Sequence, residues 1–391
     1  MFMKEIRVAL FTGNYNHIKD GVSLTLNRLV AYLEKQGIPV LIFGPTIDEP
    51  EVEHKGRLVE IPSVRMPVSS RGEYRFTTGW NQQVIEELNE FDPTLIHIAT
   101  PDRGGYKALQ WALSNRVQVV GSYHTHFTSY FKYYGGVFSE ALEFLAWQYL
   151  SWFYNNCTHV YVPSPSMIEE LKRHGFNDHA HIWARGVETD HFSPAKRDEG
   201  WRRSVGFEED DIVVTFVSRL VWEKELDTYM QSVQRVAAKN PKVKPLVVGS
   251  GPAKEELQKL MPEAVYTGFL GGEDLARAYA SSDIFLFPSH TETFGNVTLE
   301  AMSCGLPCLV ADAVGSKSLV EHGVNGLLGE AENKADFTKK LGVIVSDAEL
   351  RKQMGAASRQ KALQYEWNEI NGALVENYRQ ALKLPVPKPN Y

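Results

Sequence analysis

The sequence predicts two doubly wound, parallel-sheet α/β domains, and three observations carry that expectation. Short apolar, β-branched runs alternate with segments of helical periodicity. The alternation breaks at a charged stretch, residues 195–211, and then starts afresh. The chain has 391 residues, more than one hydrophobic core usually serves.

"IRVALF" (6–11) reads as the first strand, followed by the glycine-bearing loop "TGNYNHIKDG" (12–21). "VSLTLNRLVAYLEKQG" (22–37) sets Leu26, Leu29, Val30 and Leu33 on one helical face, with Gly37 as the stop. "PVLIFGP" (39–45) completes a strand-helix-strand unit, which requires a parallel pair. "TLIHIAT" (94–100), "QVVGSYH" (118–124) and "HVYVPSP" (159–165) continue the set. Past Pro194, "AKRDEGWRRSVGFEEDD" reads as a linker leading into a helix. "IVVTFVSRL" (212–220), "KPLVVGSG" (244–251), "AVYTGFL" (264–270), "SDIFLFPS" (282–289) and "PCLVAD" (307–312) are the strands of the second set. The expected division is 1–194, 195–364 and a C-terminal helix in 365–391.

Bulk properties exclude several classes. A net charge of −7 argues against a general nucleic-acid binder. An apolar share of 43% is that of a chain with a full core. Cys157, Cys304 and Cys308 are too few and too unevenly placed for a disulfide framework, and read as buried thiols. The N-terminus "MFMKEIRVALF" is broken by charges and lacks a signal-peptide core. No run approaches the ~20 apolar residues that cross a bilayer. These features predict a cytoplasmic protein, whose contact with the inner face of the cell membrane would be peripheral and would rest on a local surface and not on overall charge.

In open α/β sheets, ligands bind beyond the carboxyl ends of the strands. In a two-domain chain those ends can face each other across a cleft. "ETFGNVTLE" (292–300) lies at one such end, with Glu292 in the loop, Asn296 as the expected N-cap and Glu300 a turn into the helix. A helix N-terminus exposes unpaired N–H groups, and Gly295 admits a ligand close to that backbone. Phosphates held in the middle and hydroxyls accepted by a glutamate at either side are the layout of a nucleotide sugar. Two arbitrary glutamates would ordinarily be a surface acid and a helix-solvating acid. A second loop, "SRLVWEKELD" (218–227), shifts that balance, because Arg219 and Lys224 would neutralise a diphosphate. "IKDGV" (18–22) places Gly21 and Val22 to offer backbone N–H groups from the other domain. "SYHTH" (122–126) brings His124 or His126 to another strand end. "VVGSGPAKEEL" (247–257) resembles a dinucleotide fingerprint, but Lys254 stands where the third glycine belongs, so a tight turn near the nucleotide is expected.

"DGVSLTLNRL" (20–29), "SYHTHFTSYFKYYG" (122–135), "SRLVWEKELD" (218–227), "ETFGNVTLEAMSCGLP" (292–307) and "EHGVNGLL" (321–328) together resemble glycosyltransferase family 4 over nearly the whole chain. The first two are similar to its lipid- and mannosyl-transferring branch. The resemblance implies a GT-B fold, retention of anomeric configuration, no required metal and a C-terminal helix returning to the first domain. It also implies roles. Glu292 with the Phe294–Gly295 backbone holds the donor sugar, and Glu300 binds the ribose. Arg219 and Lys224 hold the diphosphate, Gly21 approaches it, and His124 faces the sugar. Val22, Asn296, Val297, Phe269 and Leu270 complete the donor-binding set.

Residues 127–157 are dense in aromatics. Leu142, Leu145, Tyr149 and Trp152 fall at helical spacing and read as a core face. Phe127, Tyr130, Phe131 and Tyr134 exceed what one buried stripe needs and suit a membrane interface. The loop 65–76 adds Arg65, Arg71 and Arg75 for an anionic lipid surface. The expected function is transfer of glucose or glucuronate from a UDP-sugar to a diacylglycerol- or ceramide-type lipid. GDP-mannose is the alternative donor and a soluble molecule the alternative acceptor. A nucleotide-sugar epimerase or a Rossmann dehydrogenase is the reading from another class.

Overall fold

The computed structural model describes residues 5–65, 75–123, 139–292, 294–313 and 315–387. The chain divides into two compact units, Met1–Ala184 with Asn368–Tyr391, and Arg185–Trp367. The first holds β1 (Val8–Phe11), β2 (Val40–Gly44), β3 (Arg57–Glu60), β4 (Ser63–Arg65), β5 (Arg75–Thr77), β6 (Leu95–Ile98), β7 (Gln118–Ser122), β8 (His159–Val162) and β9 (Ala180–Ile182). Its seven-stranded sheet runs β3-β2-β1-β6-β7-β8-β9 with parallel pairing, and β4-β5 is a separate antiparallel hairpin. The second holds β10 (Ile212–Val217), β11 (Val243–Val248), β12 (Val265–Gly268), β13 (Ile284–Phe287), β14 (Cys308–Ala311) and β15 (Gly326–Gly329). Its parallel sheet runs β12-β11-β10-β13-β14-β15, which within the unit is the nucleotide-binding order 3-2-1-4-5-6. The strand order reverses between β10 and β13, so ligands are expected beyond the carboxyl ends of those two strands.

Helix Gly21–Lys35 forms where the periodicity placed it. Leu26, Leu29, Val30 and Leu33 are all fully buried, and Gly37 takes φ 68° to end it. Burial of each such side chain is worth about 1.5–3 kcal/mol. The core they join includes Leu374, Val375, Tyr378 and Ala381 of the C-terminal helix Trp367–Ala381. That helix is also tied by polar contact, because Tyr378 Oη lies 2.7 Å from Nδ1 of buried His97.

Several expectations need correction. The stretch 195–211 does carry the expected entry helix, but it is packed more firmly than a linker. It carries helix Glu199–Ser204, whose Arg202 is fully buried, pairs with Asp283 at 3.1 Å and donates to the Ser281 and Asp211 carbonyls. A buried guanidinium with that many acceptors is a packing element, and composition alone hides it. Arg65 and Arg75 are not in a loop either. They sit directly opposite each other on β4 and β5. The periodic set Leu142, Leu145, Tyr149 and Trp152 is the outward stripe of helix Ser139–Asn155, not its core face. Trp147, Leu150, Phe153 and Tyr154 pack inward instead. Apolar residues fall on more than one face of this helix, so periodicity alone cannot say which stripe is buried. The three cysteines are free and buried, as expected, and burial raises their thiols.

The first unit also carries a pH dependence. At the β8–β9 edge the rings of His159 and His181 lie 4.0 Å apart. Burial, then the neighbouring His181 and His179, lowers His159 to about 4. His179 and His181 are lowered too, mainly by burial, and buried His97 is lowered to about 3. These groups are neutral in the native state, whereas the unfolded chain protonates them near pH 6.5. The unfolded state therefore takes up more protons as pH falls, and stability present above pH 6.5 is lost toward pH 4. The melting temperature should fall between pH 7 and pH 5, where most carboxylates stay ionised. The slope should be shallower in His159→Gln. A flat profile for the native protein would refute this.

Candidate active site

The second unit concentrates the chemistry at its strand-order reversal. β10 ends at Val217, and its loop passes Arg219 into a short 3-10 turn, Trp222–Lys224. β13 ends at Phe287, and its loop carries Ser289, Thr291 and Glu292. The two loops meet around Lys224. Lys224 Nζ donates to Glu292 Oε1 at 2.6 Å and to Thr291 Oγ1 at 3.2 Å. Both side chains are largely buried, at 15% and 24% exposure, so this pair is screened less than a surface bridge. Arg219 stays exposed, and among the described residues it enters no ion pair.

The loop from β11 shapes this end. Gly249 and Gly251 both adopt positive φ, and a Cβ on them would lie 1.9 Å from the Ser218 carbonyl and 2.4 Å from that of Leu220. Leu220 N donates to Ser250 O at 2.9 Å. The Gly-x-Gly of "VVGSGP" is therefore a close backbone approach that supports the Arg219 loop. Phe269, beyond β12, is 73% exposed, and Leu270 is half-buried.

Helix Asn296–Ser303 differs from the expected cap. Its N-cap is Gly295, at φ 97°, and no side chain caps it. Asn296 is the first helical residue and is exposed, and Val297 is half-buried. Gly295 wins because the chain turns through left-handed backbone there, which asparagine adopts less readily. No side chain covers the first turn, although Thr298 N already donates to the Gly295 carbonyl at 3.0 Å, so an anion would have to be met by the N–H groups ahead of it. Phe294 is buried, with its ring 5.9 Å from that of Tyr365. Glu300 accepts a 3.1 Å hydrogen bond from Tyr279 Oη. Burial and the Glu300 charge hold the Tyr279 hydroxyl well above its ordinary pKa, so it remains a donor.

Sequence reasoning missed two supporting residues. Tyr279 reads as one more apolar helix residue. Gly315 follows β14, and a Cβ there would stand 2.2 Å from the Glu292 carbonyl oxygen. Only glycine lets that segment lie against the Glu292 backbone. Glu225 and His290, which flank the Lys224–Glu292 contact in sequence, also converge with Glu332.

In the first unit, Gly21 opens helix Gly21–Lys35 and is exposed. The expected N–H of Val22 is already taken. Asp20 Oδ1 accepts from Val22 N at 3.0 Å and from Ser23 N at 2.8 Å, a capping box. An anion at this terminus would meet the Asp20 carboxylate. Arg65 is exposed, while Arg75 donates to Ser63 Oγ at 2.8 Å. His124, Arg71, Phe127, Tyr130, Phe131 and Tyr134 lie outside the described residues.

Residues 197–361 match the family model "Glycosyl transferases group 1", and residues 19–191 match "Glycosyltransferase Family 4". A GDP-mannose-dependent alpha-mannosyltransferase of Corynebacterium glutamicum is 29% identical, over 98% of this chain and 91% of its own. The sulfoquinovosyl transferase SQD2 of Arabidopsis thaliana is 30% identical, over 93% and 71%. An alpha-monoglucosyldiacylglycerol synthase of Streptococcus pneumoniae is 25% identical, over 78% and 70%. Among solved structures, Anabaena HepE in complex with UDP and glucose superposes with TM-score 0.71 at 18% identity, over 95% and 99%.

Proposed function

The chain belongs to glycosyltransferase family 4, and from that premise we propose that it moves a hexose or hexuronic acid from a nucleotide sugar to a membrane lipid, with retention of configuration. Lys224 and Arg219 take the diphosphate, the uncapped turn at Gly295 meets a phosphate, and Glu292 faces the sugar. Glu300, oriented by Tyr279, accepts the ribose hydroxyls. The observation that carries this reading is the 2.6 Å Lys224–Glu292 contact at the strand-order reversal of a nucleotide-binding sheet. A cation and a carboxylate side by side at this point support the reading that a sugar diphosphate is cleaved there. The protein's own positive charges then serve the role a divalent ion plays elsewhere.

A lipid acceptor is supported by the glucosyldiacylglycerol synthase relative and by helix Ser139–Asn155. Phe144 and Leu145 on its outward stripe are 62% and 61% exposed. Aromatic and leucine side chains on such a face insert into an interface. Among the described residues no helix is long and apolar enough to cross a bilayer, so contact would be peripheral. Glucose or glucuronate from UDP is the first donor reading. GDP-mannose is the second, favoured by the mannosyltransferase relative.

One assay tests the whole reading. The protein is incubated with UDP-glucose, UDP-glucuronate or GDP-mannose, diacylglycerol vesicles and excess chelator. A glycolipid from one donor is the expected product. Failure of all three donors, or a product that forms only after a divalent ion is restored, would overturn it.

Vesicle binding separates two terms. Phe144→Ser with Leu145→Ser should weaken binding to neutral and anionic vesicles alike, because apolar area is lost. Arg65→Ser should weaken only anionic binding and flatten its salt dependence, since each basic residue near such a surface is worth about 1 kcal/mol within a Debye length. If both variants bind like the native protein, the acceptor is not met on these surfaces.

A further inference from the structure

We propose that the second unit binds one divalent transition-metal ion, Zn2+ or Mn2+, through Glu225, His290 and Glu332. Glu225 precedes helix Leu226–Ala237, His290 lies in the loop after β13, and Glu332 lies in the turn after β15. Three separate segments thus send one ligand atom each to a common point, all within 4.8 Å of one another.

The arrangement is incomplete as a protein-only contact. His290 Nδ1 is shut off from water and has no hydrogen-bond partner. It faces Glu225 Oε1 at 3.9 Å, too far for a hydrogen bond. Two ligands on one tetrahedral ion, each bonded at ~2.0–2.2 Å, stand roughly 3.4–3.6 Å apart, so this gap is close to a bridging separation. Glu225 is also fixed from behind, because its Oε2 accepts from the buried Thr228 hydroxyl at 2.9 Å. That leaves Oε1 directed at the histidine, the outer support typical of a ligand carboxylate.

Charge points the same way. Two carboxylates converge here, and among the described residues no lysine or arginine pairs with either. The lysines nearest in sequence are engaged elsewhere, Lys224 with Glu292 and Lys334 with Asp227. A divalent ion on two carboxylates and a neutral imidazole would leave the cluster uncharged. One nitrogen and two oxygens suit Zn2+ or Mn2+ better than Mg2+ or Ca2+, which favour all-oxygen sites.

The position gives the ion a purpose. Glu225 follows Lys224 directly, and His290 comes two residues before Glu292. The ion would clip together the two loops whose side chains form the Lys224–Glu292 contact. None of its three ligands is a residue assigned to donor or acceptor, so turnover without the ion is compatible with this role.

The test needs no donor and does not depend on which sugar is transferred. Chelator-stripped protein is titrated with ZnCl2 and with MnCl2 by calorimetry, and its melting temperature is followed. One ion per chain and a rise of about 5 °C at 100-fold excess over Kd are expected. Glu332→Gln and His290→Gln should each weaken binding more than the ~10–100-fold that losing an outer partner costs. Glu209→Gln, a remote surface change, should leave it unchanged. Both site variants should melt like stripped native protein, which shows that they fold. No saturable binding, or binding that survives both variants, would overturn the proposal.

Discussion

Lys224→Ala should lower turnover by roughly 10²–10³-fold while leaving the second unit folded. The reason is the double duty of this ammonium. It holds Glu292 at 2.6 Å and Thr291 at 3.2 Å, so it fixes the β13 loop before any donor arrives. In the proposed reaction it would also supply the positive charge against which a diphosphate leaves, and that demand would grow in the transition state. Removing it takes away both. Lys224→Arg should rescue poorly, because a planar fork does not replace a compact point charge on a flexible stem. Arg219→Ala should cost less, since Arg219 is exposed and shares no contact with Glu292. Some stability should be lost, because a largely buried carboxylate is left without its partner, but the pair lies in loops beyond the strand ends, so the core strands should stay folded. A Lys224→Ala enzyme with near-native kcat would remove the residue from the chemistry. One that is inactive only because its melting temperature has collapsed would make it structural.

The strands of both sheets were legible wherever burial on two faces demanded a continuous apolar run. β1, β6, β10 and β13 are of this kind. β3, β9 and β15 were not, and each has a physical reason. β3 (RLVE) is an edge strand with a single buried residue, β9 (AHI) is three residues long, and β15 (GLLG) is bracketed by glycines. None offers the hydrophobic signal that separates a strand from a loop. Helix Ser139–Asn155 shows the opposite failure. Apolar residues occupy more than one of its faces, and the stripe chosen as core is the one turned outward.

The site was legible at a different level. Arg219, Lys224, Glu292, Gly295 and Glu300 were singled out by their loops at strand carboxyl ends and by the family resemblance, and the structure sets Lys224 beside Glu292. Their supports could not. Tyr279 positions Glu300 across a sequence gap of twenty-one residues, and nothing in a buried helical tyrosine announces that partner. Gly315 is required by a backbone that passes close to Glu292, which is a fact of three dimensions alone. The exchange of Asn296 for Gly295 as the cap is subtler. Asparagine is a favoured cap by propensity, but the chain enters this helix through left-handed backbone, and glycine takes that position at no steric cost.

Glu292→Gln should produce a kinetic signature that separates it from Lys224→Ala. The change keeps the shape of the side chain and removes its charge. In the native protein that charge competes with the donor for Lys224, because the ammonium is already committed to a carboxylate at 2.6 Å. Neutralising Glu292 frees Lys224 for the diphosphate, so donor affinity should hold or improve. Turnover should nonetheless fall by roughly 10²–10³-fold, because the proposed reading puts this carboxylate beside the sugar, where positive charge would develop on the reacting carbon. A drop in kcat together with an unchanged or lower KM is the mark of a group used in the transition state and strained in the ground state. The double variant Lys224→Ala, Glu292→Gln should cost less than the sum of the two single losses, since each single change already breaks the same contact. A higher donor KM with native kcat in Glu292→Gln would make Glu292 a ground-state anchor. Strict additivity in the double variant would show that the contact between the two residues carries no weight in catalysis.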